Sequence, residues 1–409
     1  MRKISIDATS RKIKTSYVSI IHSNPQYKNP PISHPGQTKM FSVKLAFAVI
    51  AAVYAAASAF PANETLEVGA SCTITSFGQV SSVLNSCSNI VISGLSVPGG
   101  KTLELKLKSG STVTFQGKTV FGVAHWDGPL LEIIGSKVTV KGASGHVLDG
   151  QGPKYWDGKG DGGVKKPKFV KVRATGGSVL TGLHVLNCPR QCVSVNSCDH
   201  VTIDGWNVDV SAGDKNKLGH NTDGFDISST SNVVISNTVV KNQDDCVAVN
   251  KAQHVTISKL QCSGGHGLSL SVGMSKTSKA DNTVSDVHFS DCTVSNSDNG
   301  IHIKTHSDGG PGVIDNVSYK NIKLSGIRKY GVNIEQDYEK GSPTGTPKAN
   351  IPITGLSITG VSGSMTGKNS RAVFILCAKG GCSNWSWGVN ISGAYRQSNC
   401  TMQPSNVKC

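Results

Sequence analysis

Three acidic residues and a histidine recur at a constant spacing in the middle of this 409-residue chain. Asp223 is as far from Asp245 in the sequence as Asp244 is from His266. Crowded carboxylates raise the pKa of at least one member, which is how a general acid keeps its proton. Glycoside hydrolysis uses such a pair of carboxyl groups, one on each side of the scissile bond. The spacing therefore predicts a hydrolytic site if one structural period stacks the four residues.

The neighbouring pair Asp244 and Asp245 needs a special backbone. In a regular strand, consecutive side chains point to opposite faces, so only a corner or bulge would turn both carboxyls into one cleft. One would then face the glycosidic oxygen and the other the attacking water, an arrangement that favours inversion. Asp also caps turns, so the pair alone would indicate only a structural corner. Four groups at matched separations, beside Gly265 and Gly267, favour catalysis instead.

Short runs of β-branched residues show the same period. The run 233–236 precedes the run 255–258 by this interval, and Val179 opens a similar run one interval before Val201. Val, Ile and Thr favour strands, whereas Gly and Asn favour the corners between them. A period of about two dozen residues indicates stacked repeats. We predict an all-β fold: a single-stranded right-handed parallel β-helix with an N-terminal helical cap at 78–84 and a disulfide-bonded C-terminal cap at 372–409. A pair of β-sandwich domains is the alternative.

The chain divides into three segments by composition. Residues 40–59 resemble a secretory signal peptide, with Lys44 in a basic start, an apolar stretch and an Ala57-Ser58-Ala59 cleavage site. Residues 1–39 are then either translated upstream sequence, with Met40 as the initiator, or a disordered extension. Residues 60–409 form the predicted β-helix domain, in which insertions at 153–171, 275–281 and 305–312 would wall a cleft. A secreted, extracellular, monomeric protein with no membrane span is expected.

The net charge of +15 indicates a polyanionic partner. Residues 1–59 account for +7 of it, so the remaining chain still carries +8. Aromatic residues are sparse, at 6%, and no nucleic-acid-binding module is present, which excludes a nucleic acid as the expected partner. An acidic polysaccharide is the other polyanion to consider.

All twelve cysteines lie after residue 59, as expected for an oxidising compartment. Sequence alone does not determine their connectivity. Proximity favours four pairs and leaves four further cysteines, which could form additional pairs. The four expected pairs are Cys72–Cys87, Cys246–Cys262, Cys377–Cys382 and Cys400–Cys409, and the remaining residues are Cys188, Cys192, Cys198 and Cys292. N-glycosylation sequons occur at Asn63, Asn316, Asn384, Asn390 and Asn399.

Four ordered motifs resemble those of the polygalacturonases, the pectin-hydrolysing enzymes of glycoside hydrolase family 28. They are Asn221-Thr222-Asp223, Gln243-Asp244-Asp245-Cys246, Gly264-Gly265-His266-Gly267-Leu268-Ser269 and Ile301-His302-Ile303-Lys304. Segments 330–332 and 334–338 extend the likeness, which covers about residues 70–409. The resemblance implies a secreted endo-polygalacturonase that cleaves α-1,4-linked galacturonan in pectin with inversion. Its implied partners are pectin and plant inhibitor proteins, and it implies no metal or other cofactor.

The resemblance also implies a role for each matching residue. Asp244 would be the general acid, while Asp223 and Asp245 would hold and activate the water. His266 would tune the protonation of Asp244. The implied substrate-binding residues are Asn221, Gly267, His302, Lys304 and Tyr338.

One residue departs from the family pattern. His302 stands where the motif usually has Arg, and a histidine lacks the permanent charge and planar fork of a guanidinium. Losing a charge-assisted contact would cost about 1.5–3 kcal/mol of binding. His302 could act when charged at acidic pH, or Arg328 could replace the missing group. The alternative function is a catalytically weakened or inactive pectin-binding relative. A pectate lyase is a third hypothesis, which the His266 motif does not suit.

Overall fold

The computed structural model describes residues 72–409. In this part of the chain the backbone winds as a right-handed parallel β-helix, as predicted. Each coil contributes to three parallel sheets, which we name the cleft sheet, the second sheet and the third sheet. The one antiparallel pairing among these described strands joins Tyr338 and Glu339 to Pro343 and Ser342. The predicted signal peptide, the 1–39 segment and Asn63 lie outside the described residues.

The strands of the three sheets have the following bounds. The cleft sheet contains Leu103–Lys106, Leu131–Ser136, Val193–Asn196, Leu268–Val272, Asn299–His306, Tyr330–Glu339, Arg371–Leu376 and Asn399–Thr401. The second sheet contains Thr73–Ile74, Asn89–Ser93, Thr112–Gln116, Thr139–Gly142, Asp199–Asp204, Thr283–Ser290, Val313–Lys320, Ile353–Thr354, Ser357–Met365, Cys382–Ser383 and Ser386–Ser392. The third sheet contains Ser96–Val97, Lys118–Phe121, Val147–Asp149, His184–Leu186, Asn207–Asp209, Val239–Asn242, Gln261–Gly264, Thr293–Ser295 and Lys323–Ile327. Three long strands turn from the cleft sheet into the second sheet: Val170–Thr181, Phe225–Ser236 and Val247–Ser258. The last residues of Ser357–Met365 turn from the second sheet into the third, where they pair with Lys323–Ile327. Ser342–Pro343 forms the short antiparallel strand.

Helical structure is confined to short segments. Helix α1, Val80–Ser86, buries Val80, Val83 and Leu84 against the first coils, where the sequence predicted a cap. The 3-10 turns are Phe77–Gln79, Gly152–Lys154, Gly160–Gly162, Ser211–Lys217 and Ala280–Asn282. Within residues 72–409, no helix combines the length and the apolar character needed to span a lipid bilayer.

Columns of aliphatic side chains fill the interior of the β-helix. In the cleft sheet, residues that pair across successive coils form one fully buried column of Val195, Ile227, Val249, Leu270, Ile303, Ile334 and Ile375. Burying each such side chain contributes about 1.5–3 kcal/mol, and the alternation that places them inside leaves their neighbours facing outward. The outward residues of the cleft sheet therefore form the floor of any cleft on that face.

The coil length is not constant, contrary to the regular period that the sequence predicted. The coil from Ile227 to its partner Val249 matches the predicted period, and the coil from Val249 to Leu270 is slightly shorter. The coil from Val195 to Ile227 is much longer than either, because it contains the turn Ser211–Lys217. The period thus holds for the coils that carry the acidic cluster and for some others, such as the coil from Val172 to its partner Val195, but not along the whole β-helix.

Five disulfides staple the coils. The four predicted pairs are present, and Cys188 pairs with Cys192 in addition. Cys377–Cys382 and Cys400–Cys409 close the C-terminal cap, where Trp385 is buried and donates its indole N–H to the Ile353 carbonyl oxygen. The expectation of further pairs fails for Cys198 and Cys292, which are buried free thiols.

The thiol count gives a direct test of this pairing. We expect about two thiols per chain to react with a thiol reagent after denaturation without reductant, and almost none in the folded protein, because burial protects both. Absorbance titration with the reagent measures both numbers. Four reactive thiols would contradict the Cys188–Cys192 pairing, and none would contradict the free state of Cys198 and Cys292.

Candidate functional site

The predicted catalytic residues lie on the turns that lead into the cleft sheet, whereas His302, Lys304 and Tyr338 lie on its strands. Asp223 comes shortly before the strand that begins at Phe225, and Asp245 comes shortly before Val247. Phe225 pairs with Val247, so the two turns stack on successive coils. The backbone N–H of Gly224 also donates to the carbonyl oxygen of Asp245, at 2.9 Å. The winding therefore brings these carboxyls to one edge of the sheet.

A buried amide holds the corner that the adjacent acids require. Asn242, 2% exposed, donates hydrogen bonds to the carbonyl oxygens of Thr222, Asp244 and Asp245 at 2.9, 3.0 and 2.9 Å. Three such bonds bend the chain at 244–245 and link it to the preceding coil. Both carboxyls consequently line the same cleft, as the corner prediction required.

Asp244 is surrounded by three donor groups. The Asn221 amide donates to its Oδ2 at 3.2 Å, and the backbone N–H of Asp245 donates to its Oδ1 at 2.8 Å. His266 Nδ1 lies 3.0 Å from the same Oδ1. The Asn221 side chain is fixed in turn by the backbone N–H of Asp161, which donates to its Oδ1. The predicted insertion at 153–171 therefore supports the site from one side.

Asp245 has different partners. The Ser269 hydroxyl donates to its Oδ1 at 2.6 Å, and the Lys304 ammonium donates to its Oδ2 at 2.7 Å. Lys304 is only 5% exposed, and its Nζ lies 5.2 Å from the centre of the Tyr338 ring. The two adjacent acids thus sit in separate environments, one beside an imidazole and one beside a buried ammonium.

These environments move the pKa values apart. Burial raises the pKa of Asp223 well above its ordinary value, and the Asp244 carboxylate adds to the effect. Burial would also raise the pKa of Asp244, but the His266 hydrogen bond and the Lys304 charge outweigh it, so that pKa is lowered. Burial opposes a charge on His266, yet Asp244 raises the His266 pKa overall. The raised carboxyl pKa predicted from crowding therefore belongs to Asp223 rather than to Asp244.

The acids open into a cleft of about 1060 Å³ on the cleft sheet. Its lining includes Asn221, His266 and Tyr338 together with five basic side chains: Lys168, Lys171, Arg190, Lys304 and Lys340. Lys168 and Lys171 come from the end of the predicted insertion at 153–171. Cations around an acidic centre suit a polyanionic ligand.

Comparison with known proteins identifies the family. The family model described as glycosyl hydrolases family 28 matches residues 87–409. The polygalacturonase of Phaedon cochleariae is 52% identical over 362 residues, which cover 88% of this chain and 98% of that protein. The chain belongs to glycosyl hydrolase family 28. Endopolygalacturonase I of Aspergillus oryzae is also similar, with 47% identity over 368 residues. The matched region covers 88% of this chain and 98% of that protein.

A solved structure agrees with this family 28 assignment. Endopolygalacturonase I from Stereum purpureum, in complex with two galacturonate molecules, is 34% identical with a TM-score of 0.68. The alignment covers 81% of this chain and 96% of that one. The chain is accordingly a glycoside hydrolase with the parallel β-helix of its family.

The residue that departs from the usual family 28 motif is buried. His302 is 7% exposed, does not line the cleft, and lies edge-on to Tyr338 with ring centroids 6.0 Å apart. Burial and the charge of Lys304 lower its pKa, despite the Glu335 carboxylate 3.8 Å from Nε2. His302 therefore becomes positively charged only at a lower pH than an exposed histidine, whose pKa is 6.5. Arg328 pairs with Asp298 at 2.8 Å and is not in the cleft.

Four residues in or beneath the cleft were given no role in the sequence analysis. Asp226 lies between buried Phe225 and Ile227, a pattern that indicates an outward side chain. Arg190 belongs to the loop closed by Cys188 and Cys192, and neither its basic charge nor the cysteine spacing indicated the cleft. Ser269 and Asn242 act through contacts between coils, which sequence spacing alone does not show.

Gly267 packs against the next coil. It has φ +87°, and a Cβ there would lie 2.3 Å from the Asn299 carbonyl oxygen. Position 267 therefore requires glycine because the backbone of the next coil, at Asn299, leaves no room for a side chain. The contact of Gly267 with substrate remains a prediction.

A substitution at Gly265 should displace the Asp244 backbone. Gly265 has φ +60°, and a Cβ would lie 1.9 Å from the Asp244 carbonyl oxygen. We expect Gly265→Ala to lower kcat about 10²-fold, because a displacement of about 1 Å misaligns a reacting group. Gly94→Ala is the matched control: Gly94 has φ +61° with nothing within 4 Å of the added Cβ. Equal activity of the two variants would contradict the predicted clash.

One group of side chains has the spacing of metal ligands. The ligand atoms of Asp244, Asp245 and His266 lie within 4.8 Å of one another. Lys304 already places a positive charge 2.7 Å from Asp245. The spacing of these three side chains would allow them to bind a cation. The proposed reaction uses none.

Proposed function

We propose that this family 28 chain is an endo-acting polygalacturonase that hydrolyses α-1,4 bonds of polygalacturonate with inversion. The observation that carries the proposal is the stacking of Asp223, Asp244, Asp245 and His266 at the edge of a basic-lined cleft. The similarity to the polygalacturonases of Phaedon cochleariae and Aspergillus oryzae supports the substrate class.

Asp244 is the proposed general acid. A galacturonan chain in the cleft adds carboxylates and removes water, and both changes raise a carboxyl pKa. We expect Asp244 to take up a proton on Oδ2 when substrate binds, while His266 stays hydrogen-bonded to Oδ1. The proton then passes to the leaving glycosidic oxygen as the bond to the anomeric carbon breaks.

The attacking water is assigned to the other two acids. Asp245, whose oxygens contact Ser269 and the Lys304 ammonium, is the proposed base that receives the water proton. Asp223, whose pKa burial raises, is proposed to orient the water by hydrogen bonding. Water adds to the anomeric carbon on the face opposite the leaving oxygen, which inverts its configuration.

Substrate binding is assigned to the cleft residues that the family resemblance named. Lys304, Tyr338 and Asn221 line the cleft and are proposed to contact galacturonate near the scissile bond. The Gly267 backbone is proposed to contact substrate as well. His302 is proposed to act indirectly, through Tyr338, because it is buried and its ring meets that of Tyr338 edge to face.

The His266 contact predicts an alkaline limit for activity. The His266 pKa is raised above 6.5 in the folded protein, so its ion pair with Asp244 is fully formed below pH 6.5 and loses the imidazolium charge as pH rises through the raised value. We expect kcat/KM on polygalacturonate to fall above that pH, and His266→Gln to remove this limb along with about 10²-fold of activity. A rate profile from about pH 4 to 9 measures it, and identical limbs in both proteins would contradict the assignment.

Hydrolysis of polygalacturonate by the purified protein tests the proposed function. An endo enzyme lowers the viscosity steeply while few reducing ends appear, whereas an exo enzyme releases monomer with little loss of viscosity. Binding of polygalacturonate without hydrolysis at any pH from about 4 to 7 would support the weakened or inactive relative instead. Calcium-dependent release of an ultraviolet-absorbing product would indicate a lyase. The complete acidic cluster favours hydrolysis.

The cellular setting is also a proposal. The 40–59 segment supports secretion and extracellular action on pectin as a monomer, where plant inhibitor proteins are the expected protein partners. Mass spectrometry of the secreted protein tests this. A mature N-terminus near residue 60 supports it, and a chain that retains residues 40–59 in the medium would contradict it.

A further inference from the structure

A buried lysine organises residues 157–166, which we name the clamp loop. The Lys166 side chain is only 1% exposed. Its ammonium donates to the carbonyl oxygens of Gly160 at 2.9 Å and Val164 at 3.1 Å, and it pairs with Asp157 Oδ1 at 2.8 Å. An ammonium has three N–H donors, so these three acceptors satisfy it. The buried charge is therefore fully compensated inside the loop.

Asp157 completes the clamp from the other end of the loop. Its Oδ1 accepts the backbone N–H of Lys159 at 3.0 Å, and its Oδ2 accepts that of Val164 at 2.9 Å. Gly163 lets this carboxylate come close, because a Cβ there would lie 1.9 Å from Oδ2. The pair of Asp157 with Lys166 thus joins the two ends of the clamp loop and fixes the backbone between them.

The fixed backbone rests on Asn221. The N–H of Asp161 donates to Asn221 Oδ1 at 3.0 Å. A Cβ at Gly160 would lie 2.0 Å from the same oxygen, so only glycine allows the loop to approach this closely. Arg190 holds the Asp161 side chain by a 2.9 Å ion pair. The clamp loop is consequently held against Asn221 from two sides.

This contact determines which way the Asn221 amide faces. Its oxygen accepts from Asp161, so its NH₂ group is left to face Asp244 and donates to Oδ2 at 3.2 Å. A reversed amide would place its oxygen against the Asp244 carboxylate, and two acceptors form no hydrogen bond. In the proposed reaction Oδ2 carries the proton to the leaving oxygen, so the amide orients the atom that performs the transfer.

We propose that Lys166 is a positioning residue for the general acid, whose buried ammonium holds the clamp loop so that Asp161 keeps the Asn221 amide turned toward Asp244. Lys166 does not line the cleft and acts only through this chain of contacts. The inference rests on the proposed function, in which Asp244 is the acid, and adds to it a residue outside the cleft.

The contact between the clamp loop and Asn221 is tested by Gly160→Ala. We expect kcat on polygalacturonate to fall about tenfold while KM changes less than about threefold, because the acid is misaligned and the sugar contacts remain. Gly158→Ala is the matched control in the same loop: both glycines have positive φ, +52° and +74°, but the atom nearest to an added Cβ at Gly158 is 3.7 Å away. Equal kcat values in the two variants would overturn the proposal.

A second background separates positioning from a general role in folding of the loop. Asn221→Gly removes the side chain that Gly160→Ala would strike, and glycine accepts the φ of +51° at position 221. In this background Gly160→Ala should change kcat less than about twofold, because the amide that it displaces is absent. A purely structural effect would cost the same factor in both backgrounds, and that result would overturn the positioning role.

Lys166→Met tests the lysine itself. It should lower kcat about tenfold in the unaltered protein and less than about twofold in the Asn221→Gly background. Lys165→Met is the matched control, since it removes the neighbouring ammonium from a pair with Asp127 whose side chains are 66% and 76% exposed. Its kcat should stay unchanged. Equal kcat values for the two lysine variants would overturn the proposal.

Asp157→Asn breaks the same buried pair with little change in shape, and it replaces Lys166→Met if that variant does not fold. Its NH₂ group would face a backbone N–H that now meets a carboxylate oxygen. The same dependence on Asn221 is expected, and equal losses in both backgrounds would again overturn the proposal.

Hydrogen exchange distinguishes failure of this inference from failure of the proposed function. Lys166→Met should speed amide exchange in peptides from the clamp loop, and Lys165→Met should not, because only the first releases the loop. If the unaltered protein leaves polygalacturonate uncut, the enzymatic proposal falls, and faster exchange still supports the clamp. If the protein hydrolyses polygalacturonate but exchange is the same in both lysine variants, the clamp is overturned and the enzyme stands.

Discussion

Replacing Asp244 by Asn is expected to reduce kcat on polygalacturonate by about 10³-fold, which is the scale of a lost general acid. The side chains have nearly the same shape, so the amide oxygen should still accept the Asp245 N–H and keep the 244–245 corner, while the Asn221 amide loses its acceptor. The measurement is the initial rate of reducing-end release at the optimum pH. KM should change far less than kcat, because the lost interaction is a proton transfer rather than a binding contact.

Asp315→Asn is the control for this substitution, since it removes an exposed carboxylate away from the cleft. Its rate should stay close to that of the unaltered protein. If Asp244→Asn kept activity to within tenfold of that control, Asp244 would not be the acid.

Lys304→Met is expected to have the largest effect on stability, lowering the free energy of unfolding by about 3–5 kcal/mol near pH 6. Lys304 and Asp245 form a 2.7 Å ion pair whose side chains are 6% and 4% exposed. Removing the ammonium leaves the Asp245 carboxylate buried without a counter-charge, whereas Met fills a similar volume. Urea unfolding curves provide the measurement.

Two further proteins separate the charge effect from a packing effect. Lys276→Met removes an ammonium from the Lys276–Asp308 pair, whose side chains are 76% and 69% exposed, and should cost under about 1 kcal/mol. Adding Asp245→Asn to Lys304→Met should restore much of the lost stability, because no unpaired charge remains. Equal losses in the single and double variants would contradict the buried ion pair as the cause.

The features that sequence predicted are those set by local chemistry. Alternating β-branched residues such as Val233 and Ile235 determine which side chains are buried, and this alternation sufficed for the β-helix. Cysteines close in sequence, such as Cys72 and Cys87, lie within one coil and pair there. The Asp223 and Asp245 spacing matched one coil because no insertion separates them.

The remaining features depend on how neighbouring coils pack. The coil from Val195 to Ile227 is much longer than the next one, and its length follows from turns with no repeating pattern. The contact of His302 with Tyr338 depends on packing in three dimensions rather than on residue type. The pKa order of Asp223 and Asp244 depends on which carboxyl meets His266 and Lys304, and that contact follows from the fold.

The anomeric configuration of the first product tests most directly whether these acids act from opposite faces of the sugar. Proton NMR spectra recorded within the first minutes of hydrolysis of an oligogalacturonate show the new reducing end before mutarotation mixes the anomers. Inversion of an α bond predicts the β anomer first. An initial α anomer would mean that a carboxylate attacks the sugar directly, and would contradict the roles assigned to Asp223, Asp244 and Asp245.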